Sequence, residues 1–197
     1  MGNAKLIEKK RLKMNKLYDA AYELFTLKGV HNTIIDDIVK HAGVAKGTFY
    51  LYCKDKYDLV DKIIIRKSSV VLNHALASLD EKRKLEPLSF QQSVIFFADY
   101  LIKYFQKDTK LLELIFTNLT WELYERAFDG EELKTAREAF IRNFVISGGS
   151  RDEAKKRLYI IVVMVGHVCY NSIVLKRPYK FEELQDELYR AIERILG

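Results

Sequence analysis

Two short helical patterns, separated by the single glycine Gly43, occupy residues 33–52. Apolar residues recur at helical spacing over residues 34–42, which predicts an amphipathic helix. Gly43 is expected to end that helix, because glycine enters the left-handed C-cap conformation without steric cost. The next segment, residues 44–52, spans barely two turns and needs packing to stay helical. Two short helices joined by a tight turn predict a helix-turn-helix, which indicates contact with DNA.

Residues typical of helix termini predict where the helices of this pair begin. Thr33 followed by Asp36 fits the spacing of a capped N-terminus, so the first helix is expected to start at Thr33. In the second helix, Phe49 and Cys53 lie four residues apart and are expected to face the core. Lys56 lies in the first turn of the following helix, where the helix dipole disfavours a cation, and it therefore suggests a nearby anion.

The motif resembles the DNA-binding domain of the TetR family of bacterial transcriptional regulators over about residues 10–60. Ala45 stands where the family pattern has serine, which removes a polar group from the DNA side. Cys53 stands where the pattern has phenylalanine, which leaves a smaller core side chain. The matching positions are Thr33, Ile38, Val39, Ala42, Gly43, Val44, Ala45, Gly47, Thr48, Tyr50, Tyr52, Cys53, Lys56 and Leu59.

The resemblance implies an all-α protein of about nine helices with two domains. Residues 1–54 would form a three-helix helix-turn-helix DNA-binding domain, and residues 55–197 a helical ligand-binding and dimerisation domain. We expect Lys46 and Thr48 near base edges, and Thr33 and Lys56 on phosphates. The full set of predicted DNA-binding residues is Thr33, Ala45, Lys46, Gly47, Thr48, Tyr50, Tyr52 and Lys56.

The apolar spacing and the scarcity of proline predict helix along nearly the whole chain. In the first helix, Leu17, Ala21, Leu24 and Phe25 form a stripe that should pack over the helix-turn-helix. The predicted helices are 5–28, 33–41, 45–51, 55–83, 88–106, 109–128, 131–147, 150–176 and 181–196.

Positive charge is concentrated in the first third of the chain. Residues 1–66 hold 13 Lys and Arg against 8 Asp and Glu, a net of +5, whereas residues 67–197 hold 20 against 19. The basic run that opens the chain is suited to lie along phosphates or, more simply, to be a solvated helix start.

Catalytic and metal chemistry find little support in the sequence. Cys53 and Cys169 form no CxxC pair, and no histidine lies at metal-ligand spacing from them, so no metal site is expected. Buried packing is the expected role of both cysteines, and a redox switch at Cys53 is the alternative. No nucleophile motif or phosphate loop occurs, and neither an enzyme nor a cofactor is expected.

Residues 158–175 form a mostly apolar stretch of borderline length for a membrane span. A helix buried between two subunits explains it better, because a helix that is apolar on nearly all sides needs partners on several faces. Without a secretory signal, the protein is expected to be cytoplasmic, with no membrane partner. The predicted interface of a homodimer comprises Ile160, Val163, Met164, His167, Val168, Asn171, Val174, Leu184, Leu188, Ile192 and Ile195, and some of these are expected to be intrachain core.

Aromatic and semi-polar side chains in the middle helices are the candidates for a ligand pocket. Such a pocket would favour an apolar or aromatic small molecule with one or two hydrogen-bonding groups. The same side chains also fit an ordinary helical core. The candidates are Tyr100, Tyr104, Phe116, Trp121, Tyr124, Phe144 and His167.

Two functions are compatible with these observations. In the first, a homodimeric repressor binds a palindromic operator in double-stranded DNA and is released by a small-molecule inducer. In the second, a helical interaction protein keeps the helix-turn-helix as a packing unit and works through a protein partner without a ligand switch. Substitution of Lys46 and Tyr50 distinguishes them, since only the first function predicts weakened DNA binding.

Overall fold

The computed structural model describes residues 2–131 and 133–197, apart from the side chains of residues 2–4, 121 and 128. Within that part of the chain the secondary structure consists of ten α-helices and one π-helical segment, which confirms the all-α prediction. The chain divides into two compact units, Met1–Arg66 and Lys67–Gly197. The fourth helix begins in the first unit and ends in the second.

The N-terminal unit contains the helix-turn-helix and the helix that packs over it. Its elements are α1 (Gly2–Lys28), α2 (Ile35–Ala42), α3 (Lys46–Tyr52) and the first part of α4 (Lys56–Leu85). The predicted stripe on α1 is buried at Leu17, Ala21 and Phe25 and half-buried at Leu24. These side chains share a core with Ile38, Val39, Phe49, Leu59 and Ile63 from the other three helices.

The predicted start of α2 at Thr33 is wrong. Ile34 is the N-cap residue, and no side chain caps this end of the helix. The Thr33 hydroxyl instead donates a hydrogen bond of 2.8 Å to the backbone oxygen of Gly29, four residues earlier. Threonine hydroxyls often bond to nearby backbone groups in this way, and that bond competes with the role of an N-cap.

The C-terminal unit begins within α4 and contains six further α-helices. Capping boxes at Ser89 with Gln92 and at Ser150 with Glu153 fix the starts of two of them. The helices are α5 (Phe90–Lys107), α6 (Thr109–Asn118), α7 (Trp121–Asp129), α8 (Lys134–Ile146), α9 (Arg151–Cys169), which continues as a π-helical segment (Tyr170–Leu175), and α10 (Phe181–Leu196).

The single helix predicted over residues 109–128 is two helices, α6 and α7. The break lies at Leu119, whose backbone is extended. The Thr120 hydroxyl accepts a hydrogen bond from the amide of Leu123, so Thr120 acts as the N-cap of a new helix. A capping threonine within an apolar pattern is what separates the two elements.

Helices α5, α6, α9 and α10 supply the main hydrophobic core of the C-terminal unit. Leu188 and Ile192, which the sequence placed in a subunit interface, lie in this core. Met164, Val168, Val174 and Ile195 pack against it while remaining partly exposed. The side chains of Leu188 and Ile192 are thus used by intrachain packing, and we leave them out of the proposed interface.

Candidate nucleic-acid interface

The turn between α2 and α3 is fixed by Gly43. Its φ of 63° and ψ of 40° lie in the left-handed region, as the sequence predicted. The amide of Gly43 donates to the backbone oxygen of Lys40, and the amide of Val44 donates to that of Val39 at 3.0 Å. These bonds satisfy carbonyl groups at the end of α2 and set the direction in which the chain enters α3.

Helix α3 has one buried residue and a broad exposed face. Phe49 is 0% exposed and anchors the helix in the core, with Cys53 buried just after its end. Tyr50 is 54% exposed and Leu51 is 78% exposed. The sequence interpretation missed Leu51, although a residue two positions after the buried Phe49 lies about 160° away from it around the helix.

Lys46, the first residue of α3, is paired with an acidic residue of α2. Its ammonium lies 2.6 Å from a carboxylate oxygen of Asp36, and both side chains are exposed. The hydrogen bond to this carboxylate raises the pKa of Lys46 above its ordinary value, because it favours the charged ammonium. Lys46 thus presents its charge next to α2, within a pair that the sequence interpretation did not anticipate.

Gly47 is exposed, and its backbone conformation is one that any residue can adopt. A Cβ atom built at this position meets nothing within 4 Å, and the backbone is helical with no positive φ. Neither packing nor backbone geometry within the described residues therefore requires glycine here. The half-buried Thr48 follows it in the first turn of the helix.

Two predicted phosphate contacts, Thr33 and Lys56, are engaged inside the domain. Thr33 is 0% exposed, so we leave its side chain out of the proposed DNA surface. The ammonium of Lys56 donates to the backbone oxygen of His31 at 2.8 Å and to that of Thr33 at 3.0 Å. Two neutral carbonyl oxygens thus take the place of the anion that the position of Lys56 suggested, and they leave one of its three donors for another acceptor.

The C-terminal end of α3 is held by α1 and by α4. The Tyr52 hydroxyl donates to the backbone oxygen of Lys10 in α1 at 3.2 Å. The ammonium of Lys62 in α4 donates to the backbone oxygen of Tyr52 and, at 2.9 Å, to the carboxylate of Asp58. Asp58 also accepts a hydrogen bond of 3.0 Å from the amide of Lys54 in the connecting loop. Helix α4 therefore contacts the segments on both sides of the α2–α3 pair.

Both cysteines are buried and free. Burial raises the pKa of the Cys53 thiol to about 11 and that of Cys169 to about 12. A thiol with such a pKa stays protonated at neutral pH and is a poor nucleophile. This agrees with a packing role beside α3 and gives no support to a redox switch.

In the C-terminal unit, the candidate pocket residues belong to several separate groups. Phe116 stacks on Tyr170 with ring centroids 4.0 Å apart and meets the ring of His167 edge-on at 4.6 Å. Tyr124 meets Tyr159 edge-on at 5.1 Å. The sequence interpretation included neither Tyr170 nor Tyr159, because contacts across about 35 or more residues have no local signal.

The other candidate pocket residues lie elsewhere. Phe144 is buried in a small core cluster with Ile141 and Ala154, so we leave it out of the proposed pocket. Tyr100 and Tyr104 are half-buried on α5. The side chain of Trp121 lies outside the described part of the structure.

A shallow depression of about 300 Å³ lies between α5 and α10. Its volume is at the lower end of the range for small-molecule sites. None of the six predicted pocket residues whose side chains are described lines it; its walls are formed by Leu88, Gln92, Ile95, Phe96, Asp99, Tyr189 and Glu193. Within the described residues, no group of three or more His, Cys, Asp or Glu side chains is arranged to hold a metal ion.

The helix Arg151–Leu175 is long and apolar enough, by length and composition alone, to cross a membrane. Only 22% of its most apolar stretch is buried within the chain. Tyr159, Ile160 and Val162 are among its exposed side chains. This helix therefore presents an apolar surface that the described residues leave largely uncovered.

Comparison with known proteins bears on both units. The family model described as bacterial regulatory proteins of the tetR family matches residues 17–63, which span the end of α1 through the start of α4. The fatty acid metabolism regulator protein of Bacillus subtilis (strain 168) is 34% identical over 76 residues, and this alignment covers 39% of each chain. The sequence likeness to that relative thus spans well under half of its length.

Solved structures extend the likeness in fold over nearly the whole chain. The fatty acid degradation regulator FadR from Bacillus halodurans superposes with a TM-score of 0.66 at 20% identity, covering 94% of this chain and 95% of that one. FadR from Bacillus subtilis, solved in complex with stearoyl-CoA, gives a TM-score of 0.64 at 19% identity and covers 90% and 96%. At identities this low, the superpositions establish a shared fold alone.

Proposed function

Because this chain belongs to the TetR family of bacterial regulatory proteins, we propose that it is a transcriptional repressor whose α3 helices read DNA as a homodimer. The observation that carries the proposal is the orientation of α3. Buried Phe49 holds the helix to the core, while Lys46, Gly47 and Tyr50 remain exposed on its outer side. A short helix presented in this way fits the major groove.

Five residues in and next to α3 have defined roles in the proposed complex. Lys46 and Thr48 at the start of α3 contact base edges, since the N-terminal residues of a recognition helix reach the bases. Gly47 lets the backbone approach the DNA, which accounts for a glycine that the fold does not require. The Tyr50 hydroxyl and the remaining donor of Lys56 fix the register on phosphates.

A homodimer supplies the second half of the binding site. One seven-residue helix contacts too few base pairs for useful specificity, whereas a two-fold pair reads a palindromic operator. We propose that the exposed apolar face of α9 packs against a second copy, together with exposed parts of α10. This arrangement removes Ile160 and its neighbours from water, and their burial stabilises the dimer by roughly 25 cal/mol per Å².

A small molecule bound to residues 55–197 is proposed to release the operator. Helix α4 continues from the helix-turn-helix into that region, so its displacement changes the spacing of the two α3 helices. Successive major grooves on one face of DNA lie about 34 Å apart, and a shift of a few ångströms disrupts both contacts. The effector must bind the released spacing more tightly than the DNA-bound spacing, because equal affinity shifts no equilibrium.

A long-chain acyl-CoA is the first effector to test. Its largely apolar tail agrees with the aromatic side chains of the C-terminal unit, and the structurally similar Bacillus subtilis FadR was solved with stearoyl-CoA. Addition of stearoyl-CoA should lower DNA affinity, with free coenzyme A and stearate as the matched controls. Equal DNA affinity with and without stearoyl-CoA would exclude this class of effector and leave DNA binding untouched.

The deciding experiment is selection of bound fragments from random or genomic DNA, followed by salt titration of the winning site. A palindromic site that is bound far more tightly than scrambled DNA establishes a sequence-specific regulator. Lys46→Ala combined with Tyr50→Phe should then weaken binding while the unfolding curve is unchanged. Failure to enrich any sequence would favour a helical interaction protein that acts through a protein partner.

A further inference from the structure

Most of the net positive charge of the N-terminal unit lies outside the helix-turn-helix. Residues 5–13 hold five basic residues and one acidic residue, a net charge of +4. Residues 14–66, which include α2, α3 and the start of α4, hold eight basic and seven acidic residues, a net charge of +1. Protein–DNA affinity depends strongly on the neutralisation of phosphates by basic side chains. Residues 14–66 are nearly neutral and therefore supply little of this electrostatic contribution.

Several cations of the helix-turn-helix are also engaged within the domain. Lys28 pairs with Asp37 across α1 and α2, and Lys62 pairs with Asp58 along α4. The Lys46 ammonium lies against Asp36, and the Lys56 ammonium donates to two carbonyl oxygens. Carboxylates already neutralise Lys28, Lys46 and Lys62, and Lys56 keeps only one donor for a phosphate, so phosphate contacts at these lysines bring a reduced net gain.

The first turns of α1 have the opposite character. We call residues 5–13 the N-terminal arm; it is helical, and each of its nine residues is exposed. Arg11 forms an exposed pair with Glu8 at 3.2 Å. Among the residues that the structure describes, Lys5, Lys9, Lys10 and Lys13 have no carboxylate partner. Lys5, Lys9 and Lys13 follow one another at spacing of four, so they share one side of the helix.

The position of the arm relative to α3 is fixed by a hydrogen bond. The hydroxyl of Tyr52, the last residue of α3, donates to the backbone oxygen of Lys10 in the middle of the arm. Whatever groove receives α3, the arm lies beside the C-terminal end of that helix. At 1.5 Å per residue the arm is about 13 Å long, which corresponds to roughly four base pairs at 3.4 Å each.

We propose that the N-terminal arm binds the sugar-phosphate backbone that flanks the base pairs contacted by α3, and that it supplies most of the salt-dependent affinity for DNA. This inference rests on the proposed DNA-binding function. It assigns affinity to the arm and sequence discrimination to α3. The arm contacts no bases, so its contribution is the same for operator and for scrambled DNA.

The placement of the arm's apolar side chains favours DNA over a lipid surface as the partner. A helix that lies on a membrane needs its apolar side chains on one face. The arm's exposed apolar residues are Leu6, Ile7 and Leu12. At 100° per residue, Leu12 lies about 120° or more from both others around the helix axis. These side chains form no common apolar face, whereas Lys5, Lys9 and Lys13 share one side of the helix.

The test compares two variants that lose the same charge in different places. The arm variant carries Lys5→Gln, Lys9→Gln, Lys10→Gln and Lys13→Gln; glutamine has nearly the helix propensity of lysine, and the backbone acceptor for Tyr52 remains. The control carries the same change at the exposed lysines Lys84, Lys103, Lys107 and Lys134 of the C-terminal unit. Affinity is measured against salt for the selected operator and for scrambled DNA, each as a short duplex and with ten flanking base pairs on either side.

The arm variant should lose affinity for both long duplexes, with its salt slope reduced by up to about 3.6 per protomer because each phosphate contact contributes about 0.9. Its preference for operator over scrambled DNA should stay within about threefold of the original protein. The original protein should gain affinity from the flanks, and the arm variant should gain none. The control should behave as the original protein does.

An unchanged salt slope in the arm variant would overturn the inference, as would an equal loss in the control. Binding of the original protein, but not of the arm variant, to vesicles containing anionic lipid, with DNA affinity unaffected, would overturn it in favour of a membrane surface. If the original protein shows salt-dependent binding without any preferred sequence and the arm variant loses it, the arm inference stands while the proposed regulator fails. Absence of any DNA binding would remove both.

Discussion

The ammonium of Lys62, one turn and a half into α4, donates a hydrogen bond to the backbone oxygen of Tyr52, the last residue of α3. The same ammonium is held by Asp58, whose carboxylate also receives the amide of Lys54 from the connecting loop. The Lys62 side chain thus connects α4 to the C-terminal end of the proposed recognition helix. In the proposed switch, a displacement of α4 would reach α3 through this contact.

Lys62→Met should therefore weaken binding of the selected operator without changing its salt dependence. A charged hydrogen bond contributes about 1.5–3 kcal/mol, and partial exposure of Lys62 reduces this to about 1 kcal/mol, or roughly fivefold in affinity. Lys62→Arg keeps a cationic donor and should recover part of the loss. A salt slope lower by about 0.9 would instead identify Lys62 as a phosphate contact.

Gly47→Ala should stabilise the protein and weaken its DNA binding. Alanine fits the open space around Gly47 and is the better helix former, so the unfolding free energy should rise by about 0.5–1 kcal/mol. The added methyl group should hinder approach of α3 to the DNA. Urea unfolding and operator titration measure the two effects, with Asn73→Ala on the exposed side of α4 as a control that changes stability alone. Unchanged DNA affinity in Gly47→Ala would place this residue away from the DNA.

Ala45→Ser should raise the stability of the N-terminal unit. Ala45 is the N-cap residue of α3 with extended backbone angles of φ −70° and ψ 147°, and it forms no side-chain cap. A serine hydroxyl there can accept an amide of the first turn, which contributes about 1 kcal/mol. Ala45→Val serves as the control, since valine cannot accept a hydrogen bond. A Ser variant no more stable than the Val variant would show that the cap does not form.

Phe49→Ala and Leu51→Ala should differ sharply in stability, because they test which side of α3 is buried. Loss of the fully buried Phe49 ring should cost about 3–5 kcal/mol, whereas Leu51 is 78% exposed and should change stability by less than about 0.5 kcal/mol. Chemical denaturation of both variants provides the measurement. Similar losses at the two positions would contradict the orientation of α3.

The two thiols should be unreactive in the folded protein at pH 8. Burial raises the pKa of Cys53 from 9.0 to about 11, so folding disfavours the thiolate. The contribution of Cys53 to stability is thus complete below about pH 9 and is lost as the pH rises from about 9 to 11. Over that interval Cys53→Ala should lose less stability than the original protein, and Cys169→Ala should do the same, because burial raises the pKa of that thiol to about 12.

Alkylation by iodoacetamide provides a second measurement of the thiols. Both should react only as fast as the protein unfolds, and urea should accelerate the reaction. Rapid modification of Cys53 at pH 8 in native buffer would mean that the thiol is accessible and would reopen a redox role beside α3.

Local sequence signals identified the helix-turn-helix because its determinants are themselves local. Gly43 ends α2 through its own backbone freedom, and Phe49 and Cys53 face the core through helical spacing. The predicted start of α2 was wrong because the Thr33 hydroxyl can either accept a hydrogen bond from an amide of the first helical turn or donate one to an earlier carbonyl. In the structure it donates to the carbonyl of Gly29. The break at Leu119 was missed because the capping signal of Thr120 lies inside an otherwise continuous apolar pattern.

The partners of the site residues were beyond reach of the sequence. Lys56 contacts carbonyl groups 23 and 25 residues away, and Lys62 contacts Tyr52 across a loop. In the C-terminal unit, Phe116 stacks on Tyr170 although 53 residues separate them. Such contacts depend on how helices pack, and a pattern along one chain carries no information on the packing of a distant helix.

The pair of Lys46 and Asp36 makes the leading edge of α3 a dipole rather than a free positive charge. An exposed pair of this kind is worth about 1 kcal/mol or less, so a good acceptor on DNA can draw the lysine away. When it does, the Asp36 carboxylate remains beside the polyanion and repels it. A base edge with two acceptors compensates for that repulsion, while a bare stretch of phosphates compensates poorly. Asp36 thereby disfavours binding to sites that lack such a base edge. Loss of its charge should make the protein bind DNA more tightly and less selectively.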